Sequence, residues 1–158
     1  MEYKIVEYPE RRLVGFNMKM SFDNIRTAEL FQKLGPRVKG VIGRKGEDKF
    51  TVEIYPSTSF FSQFNPSLSF EKWAAIELED GVATPEDFSE LIVPAGRYAV
   101  FNYKGDHSGA AAAYRYIFSD WMQQTNNELD DRPHLSVIGS KYIFNHPDSE
   151  EEIWIPIR

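Results

Sequence analysis

The chain has 158 residues, 42% hydrophobic, 15% aromatic and 27% charged, with a formal net charge of −6, which suits one globular domain with a real core. The absence of cysteine excludes disulfides, thiol catalysis and Cys-ligated zinc or iron–sulfur sites. The acidic balance speaks against nucleic acid as a direct partner, since phosphates need a basic face, and favours cationic small molecules.

Along the chain, "MEYKIVEYPE" has no apolar core of a signal peptide, and no apolar run reaches bilayer length. A cytoplasmic protein that makes no membrane contact is the expectation. Arg12–Met20 reads as a strand. Asn24–Val41 has helical periodicity, with Ile25, Ala28, Phe31, Leu34, Val38 and Val41 near one face, Asp23 or Asn24 as its cap, and a break expected at Gly35-Pro36. Strands follow at Phe50–Tyr55 and Lys72–Leu78, then a Pro-containing linker over 81–91. Another strand, Arg97–Lys104, precedes a second helix from Gly109 to Gln124, capped by Asp106 or Ser108, with Ala110, Ala113, Tyr114, Ile117 and Trp121 as its buried stripe. Leu135–Phe144 and Glu152–Ile157 read as the last strands.

The order is β-α-β-β twice. "RLVGFNMK" (12–19) matches "RYAVFNYK" (97–104), and "EKWAAIEL" (71–78) matches "EEIWIPIR" (151–158). One domain, 1–158, with halves of about 1–80 and 92–158, is the expected organisation. Two such modules related by a pseudo-twofold axis make an α+β fold, with one main helix per half and antiparallel sheets enclosing a central cleft.

Strand alternation assigns side chains to faces. Placing Phe50, Val52 and Ile54 under the first helix leaves Glu53 and Tyr55 in the cleft. The same reasoning turns Ala74, Ile76 and Leu78 inward and leaves Trp73 and Glu77 opposite. In the second half, Ala99, Phe101, Tyr103, Ile153, Ile155 and Ile157 go to the helix side, so Tyr98, Asn102 and Trp154 face the cleft. The expected site is therefore an aromatic cage with an acidic floor, since cations are drawn to aromatic faces and paired by carboxylates. A half-wet sheet face with scattered aromatics accounts for the pattern equally well. The loop "PSTSFFSQFNPSLS" carries Phe60, Phe61 and Phe64, which read either as a lid or as side chains folded onto the core or a homodimer interface.

The stretch "FEKWAAIELEDGVATPEDFSELIVPAGRYAVFNYKGDH" (70–107), with Trp121, "DRPHLSVIGSKY" and the terminal "EEIWIPIR", resembles the GyrI-like, or AraC effector-binding, small-molecule-binding domain. That resemblance implies a duplicated module with a hydrophobic cleft that senses amphipathic, often cationic, compounds. Such domains occur fused to helix-turn-helix regulators and as stand-alone proteins, and this chain has the look of a stand-alone binder. Where the family carries Glu and Tyr after the second helix, this sequence has Ser136 and Ile138. Glu53 and Tyr55 supply the missing pair from the other half, and Ser136 and Ile138 are expected opposite them.

Two rival functions stay open. Some relatives of this fold are hydrolases, and Glu53 in an apolar site can act as a general base. A protein-binding modulator, such as a gyrase inhibitor, is the other, with Asp148–Glu152 as an acidic surface. No metal site or cofactor is expected: His107, His134 and His146 lack ligand spacing, "DHS" (106–108) reads as a helix cap, and neither a P-loop nor a dinucleotide fingerprint occurs.

Overall fold

The computed structural model describes residues 1–158. Its strands are β1 (Tyr3–Tyr8), β2 (Arg11–Met20), β3 (Arg44–Ile54), β4 (Phe70–Leu78), β5 (Ser89–Val93), β6 (Gly96–Lys104), β7 (His134–Ile138) and β8 (Glu150–Ile157). They form one eight-stranded sheet in the order β1-β6-β8-β7-β3-β4-β2-β5, antiparallel at every pairing. Matching β1 with β5, β2 with β6, β3 with β7 and β4 with β8, this order reads the same from either end. The pseudo-twofold axis therefore runs between β3 and β7. The α+β fold of duplicated modules holds, and both modules share a single sheet.

Two strands absent from the sequence reading explain how the halves are stitched. β1 precedes the first module but pairs with β6 of the second. β5 precedes the second module, begins inside the expected linker 81–91, and pairs with β2 of the first. Each half thus lends its leading strand to the other half's edge. Gly15 on β2 is required by a close approach: a Cβ there would lie 2.0 Å from the carbonyl oxygen of Ala74 on β4.

Helix α1 spans Thr27–Leu34 and continues as a 3-10 turn over Gly35–Gly40, breaking where Gly35-Pro36 predicts. Asp23 does not cap it; its carboxylate accepts from the Ser21 and Ser67 hydroxyls instead. The second helix begins after Asp106 accepts the Ser108 amide. It runs as α2 (Ala110–Arg115), passes through a π-helical turn (Tyr116–Trp121) and ends as α3 (Met122–Thr125), where Asn126 turns left-handed at φ 55°. β7 stops at Ile138, not Phe144, because Gly139 opens a turn.

Both helices lie on one face of the sheet. Leu30 and Leu34 of α1 pack on Val14, Ala74, Ile76 and Leu78 of the sheet. Ile117 and Trp121 of the second helix pack on Ala99, Phe101, Ile153 and Ile155. The helix-free face is equally dry: Leu13, Phe50, Val52, Trp73, Tyr98 and Trp154 form a third core, joined by Val6 and Tyr8 of β1 and Leu91 of β5. Residues from both sheet edges meet in that core, so the helix-free face is curled shut upon itself.

Candidate functional site

The register of β3 decides where its carboxylate points. Val52 pairs with Trp73 on β4 and Leu135 on β7, and Phe50 with Ala75 and Val137. Directly paired residues share a face, so Phe50 and Val52 belong to the helix-free core together with Trp73. The sequence expectation inverted this strand. Assigning Phe50 to the helix side and Trp73 to the opposite side is incompatible with their register.

The inversion splits the expected cage in two. Trp73, Tyr98, Trp154 and Glu77 are buried on the helix-free face, inside a closed core. Asn102 is exposed and donates to Glu150. Ile138, at the end of β7, pairs with Lys49. Glu53, Tyr55 and Ser136 lie on the helix face, between the two modules, where Ser136 stands across from Thr51 and Glu53 from His134.

There the site assembles. Glu53 retains 6% of its exposure; the Thr51 hydroxyl donates to its carboxylate at 3.4 Å. It forms none of the molecule's ion pairs, although Lys72 faces it in register. Burial pushes its carboxyl above the ordinary value of 4.5, with Lys72 and Thr51 opposing the rise only in part. Burial, reinforced by the Glu53 charge, also raises the phenols of Tyr55 and of Tyr114 on α2, and a hydrogen bond with Ser136 tempers the latter. His134 is pressed the other way: burial and the nearby Arg132 lower it from 6.5 to about 3, so its imidazole is neutral at physiological pH.

Aromatic rings roof this floor. Tyr55 meets His134 edge-on at 4.9 Å and Phe61 at 4.8 Å. Phe61, from the loop after β3, stacks on Phe118 of the π-helical turn, with centroids 3.8 Å apart and planes 5° apart. This contact bridges the two modules over the site. Of the other two loop phenylalanines, Phe60 is buried in the α1 core, while Phe64 is half exposed against Phe22 and Phe61. Beyond the stack lies an open groove of about 350 Å3 lined by Phe61, Phe118, Met122, Leu129, Glu128 and Arg158, among others.

Tyr114, Phe118, His134 and Thr51 escaped the sequence reading as site residues. The spacing of Tyr114 and Phe118, four apart on one helix, places their aromatic rings on a common face. His134 and Ser136 alternate on β7, as Thr51 and Glu53 do on β3.

A buried carboxylate beneath aromatic rings thus lies at the junction of the two repeats. The family model of the GyrI-like small molecule binding domain matches residues 1–158. The chain belongs to that family. Its GyrI-like sequence is similar to that of the transcriptional regulator BrlR of Pseudomonas aeruginosa, with 26% identity over 159 residues, covering 99% of this chain and 56% of the regulator. The chain thus spans little more than half of that relative's length. Among solved structures, SAV2435 bound to tetraphenylphosphonium superposes with a TM-score of 0.69 at 15% identity, covering 100% of this chain and 94% of the other. The EcmrR C-terminal domain gives 0.69 at 16%, covering 99% and 97%. A hydrolase from Listeria innocua gives 0.60 at 10%, covering 99% and 92%. At these identities the likeness establishes the fold. No helix of this GyrI-like domain is long and apolar enough to cross a membrane.

Proposed function

We propose that this domain binds lipophilic cations between its two modules, with Glu53 as the charge partner and Tyr55, Tyr114, Phe61 and Phe118 as the aromatic walls, and that it serves to sense or sequester them. The observation that carries this reading is a carboxylate at 6% exposure, under aromatic rings, outside every ion pair of the molecule. Such a group is costly to hold charged, and an incoming cation relieves the cost. Each ring adds about 0.5–2 kcal/mol of cation–π attraction. The tetraphenylphosphonium held by a structural neighbour is a ligand of this chemical class.

Calorimetric titration tests it. Tetraphenylphosphonium should bind, neutral triphenylphosphine oxide should bind at least about tenfold more weakly, and Glu53→Gln should erase that preference. Equal affinity for both compounds, or an unchanged preference in Glu53→Gln, sinks the reading. Because burial raises the Glu53 carboxyl, affinity for the cation should also decline on acidification, beginning above the ordinary value of 4.5.

Hydrolysis is the second reading, favoured by one feature: a carboxyl held above its ordinary value beside a neutral imidazole suits a general base. Sustained release of p-nitrophenol from an activated ester, abolished in Glu53→Gln, supports it; saturable binding without turnover supports the binder.

A further inference from the structure

Phe61 and Phe118, stacked on each other, both line the open groove of about 350 Å3. Phe61 serves both sides. Its ring packs against Tyr55 above Glu53 and lines the groove outside. The groove's remaining apolar wall comes from Met122 and Leu129, and its size falls in the range of about 300–1,000 Å3 occupied by small-molecule pockets. Methionine is unbranched and adapts to irregular occupants. The only charged side chains of the groove, Glu128 and Arg158, pair with each other at 3.4 Å. Thr58 and Ser62 complete the lining, of which the apolar side chains Phe61, Phe118, Met122 and Leu129 make up half.

We infer that this groove is a second subsite, which receives the apolar chain of a cationic amphiphile whose charged head lies at Glu53. The ligand passes between Phe61 and Phe118, so the two rings part to admit it and then flank the chain next to the charge. Methylenes buried between the two rings replace the apolar contact that the stacked pair gives up. The π-helical turn that carries Phe118 is a local departure from α-helical bonding, a suitable place for a ring that must shift. The preferred ligand is therefore a cation with one long flexible arm, and compact cations engage the inner site alone.

The inference rests on Glu53 holding the head, and the test separates the two. Affinities of alkyltrimethylammonium ions, from ethyl to dodecyl and below their micellar concentrations, are measured on wild type, Glu53→Gln, Ser62→Trp and Met122→Asn. Ser62 is an exposed residue of the groove, so a tryptophan there fills it without disturbing the core. Wild-type affinity should rise about twofold per methylene, half the effect of full burial, until the groove is filled. Ser62→Trp and Met122→Asn should flatten that rise while leaving tetraphenylphosphonium within about twofold. Glu53→Gln should lower every chain length alike and keep the slope. A slope absent in wild type, or one that survives in both groove variants, overturns the second subsite. A flat response to Glu53→Gln with a slope that the groove variants abolish instead overturns the head site and leaves the groove standing as an apolar subsite.

Discussion

On the helix-free face, the guanidinium of Arg11 sits 3.8 Å from the Tyr8 ring centroid, 4.6 Å from that of Trp154 and 5.2 Å from that of Phe50. Glu77 is buried on the same face, raised by burial and held back in part by Arg11 and Lys45. On the helix face, Glu53 is buried among Tyr55, Tyr114 and the Phe61–Phe118 stack, with Lys72 opposing its charge but no cation stacked on those rings. Both regions combine a carboxylate with aromatic rings. In one, Arg11 of the chain itself stacks on the rings; in the other, Lys72 faces the carboxylate without forming an ion pair and no cation lies over the rings. Aromatic residues beside an acid therefore do not by themselves mark a ligand site; a guanidinium stacked on the rings distinguishes the two regions. Arg11 even keeps two guanidinium nitrogens, Nε and Nη1, without hydrogen-bond partners, so its placement leans on the rings.

The largest expected effect sharpens the description of the helix face. His134 has a folded value of about 3 against an ordinary 6.5, so its contribution is complete above pH 6.5 and is lost as pH falls toward 3. At pH 4 the loss should be on the order of 3 kcal/mol. Urea denaturation at pH 7 and pH 4 should show a steeper decline for wild type than for His134→Asn; equal declines contradict a neutral, buried imidazole. Next in size, Arg11→Ala should cost about 3 kcal/mol at pH 7, through lost ring contacts and packing. Arg11→Lys should recover only part, since an ammonium lacks the planar face that stacks on Tyr8 and Trp154. A cost below about 1 kcal/mol would remove the contrast between the faces.

Much of this arrangement can be read from alternation, and its failures are instructive. Ala74, Ile76 and Leu78 on β4, and Ile153, Ile155 and Ile157 on β8, go under the helices as expected, and the second helix buries Ile117 and Trp121 from its expected stripe. On β3 alternation has no single answer, because a central strand of a sheet dry on both faces buries both of its side-chain sets. Phe50 and Val52 fill the third core while Thr51 and Glu53 are buried polar groups on the helix side. Only pairing with Trp73 and Leu135 fixes the choice, and pairing is a long-range property. β1 and β5 escape notice for a related reason. Each is recognisable only by the partner in the other half that it pairs with, and "SELIV" has exposed positions that read as linker.

The smallest effect bears most directly on the empty side of the comparison. A carboxyl raised by burial is favoured in its protonated form by folding, so its contribution is fullest at low pH and is lost as pH rises through the raised value. Above that value wild type carries the cost of an unpaired buried charge, and Glu53→Gln does not. The variant should therefore be the more stable protein at pH 8, by about 1 kcal/mol, and the gap should close toward pH 4. Adding tetraphenylphosphonium should reverse the order at pH 8. Wild type gains about 2.7 kcal/mol at 100 times its dissociation constant, while the variant, binding more weakly, gains less at the same concentration. Thermal melts of both proteins, with and without the cation, read all four states. If Glu53→Gln is instead destabilised at pH 8 in the absence of ligand, Lys72 already satisfies the carboxylate, and the helix face is as complete as the face closed by Arg11.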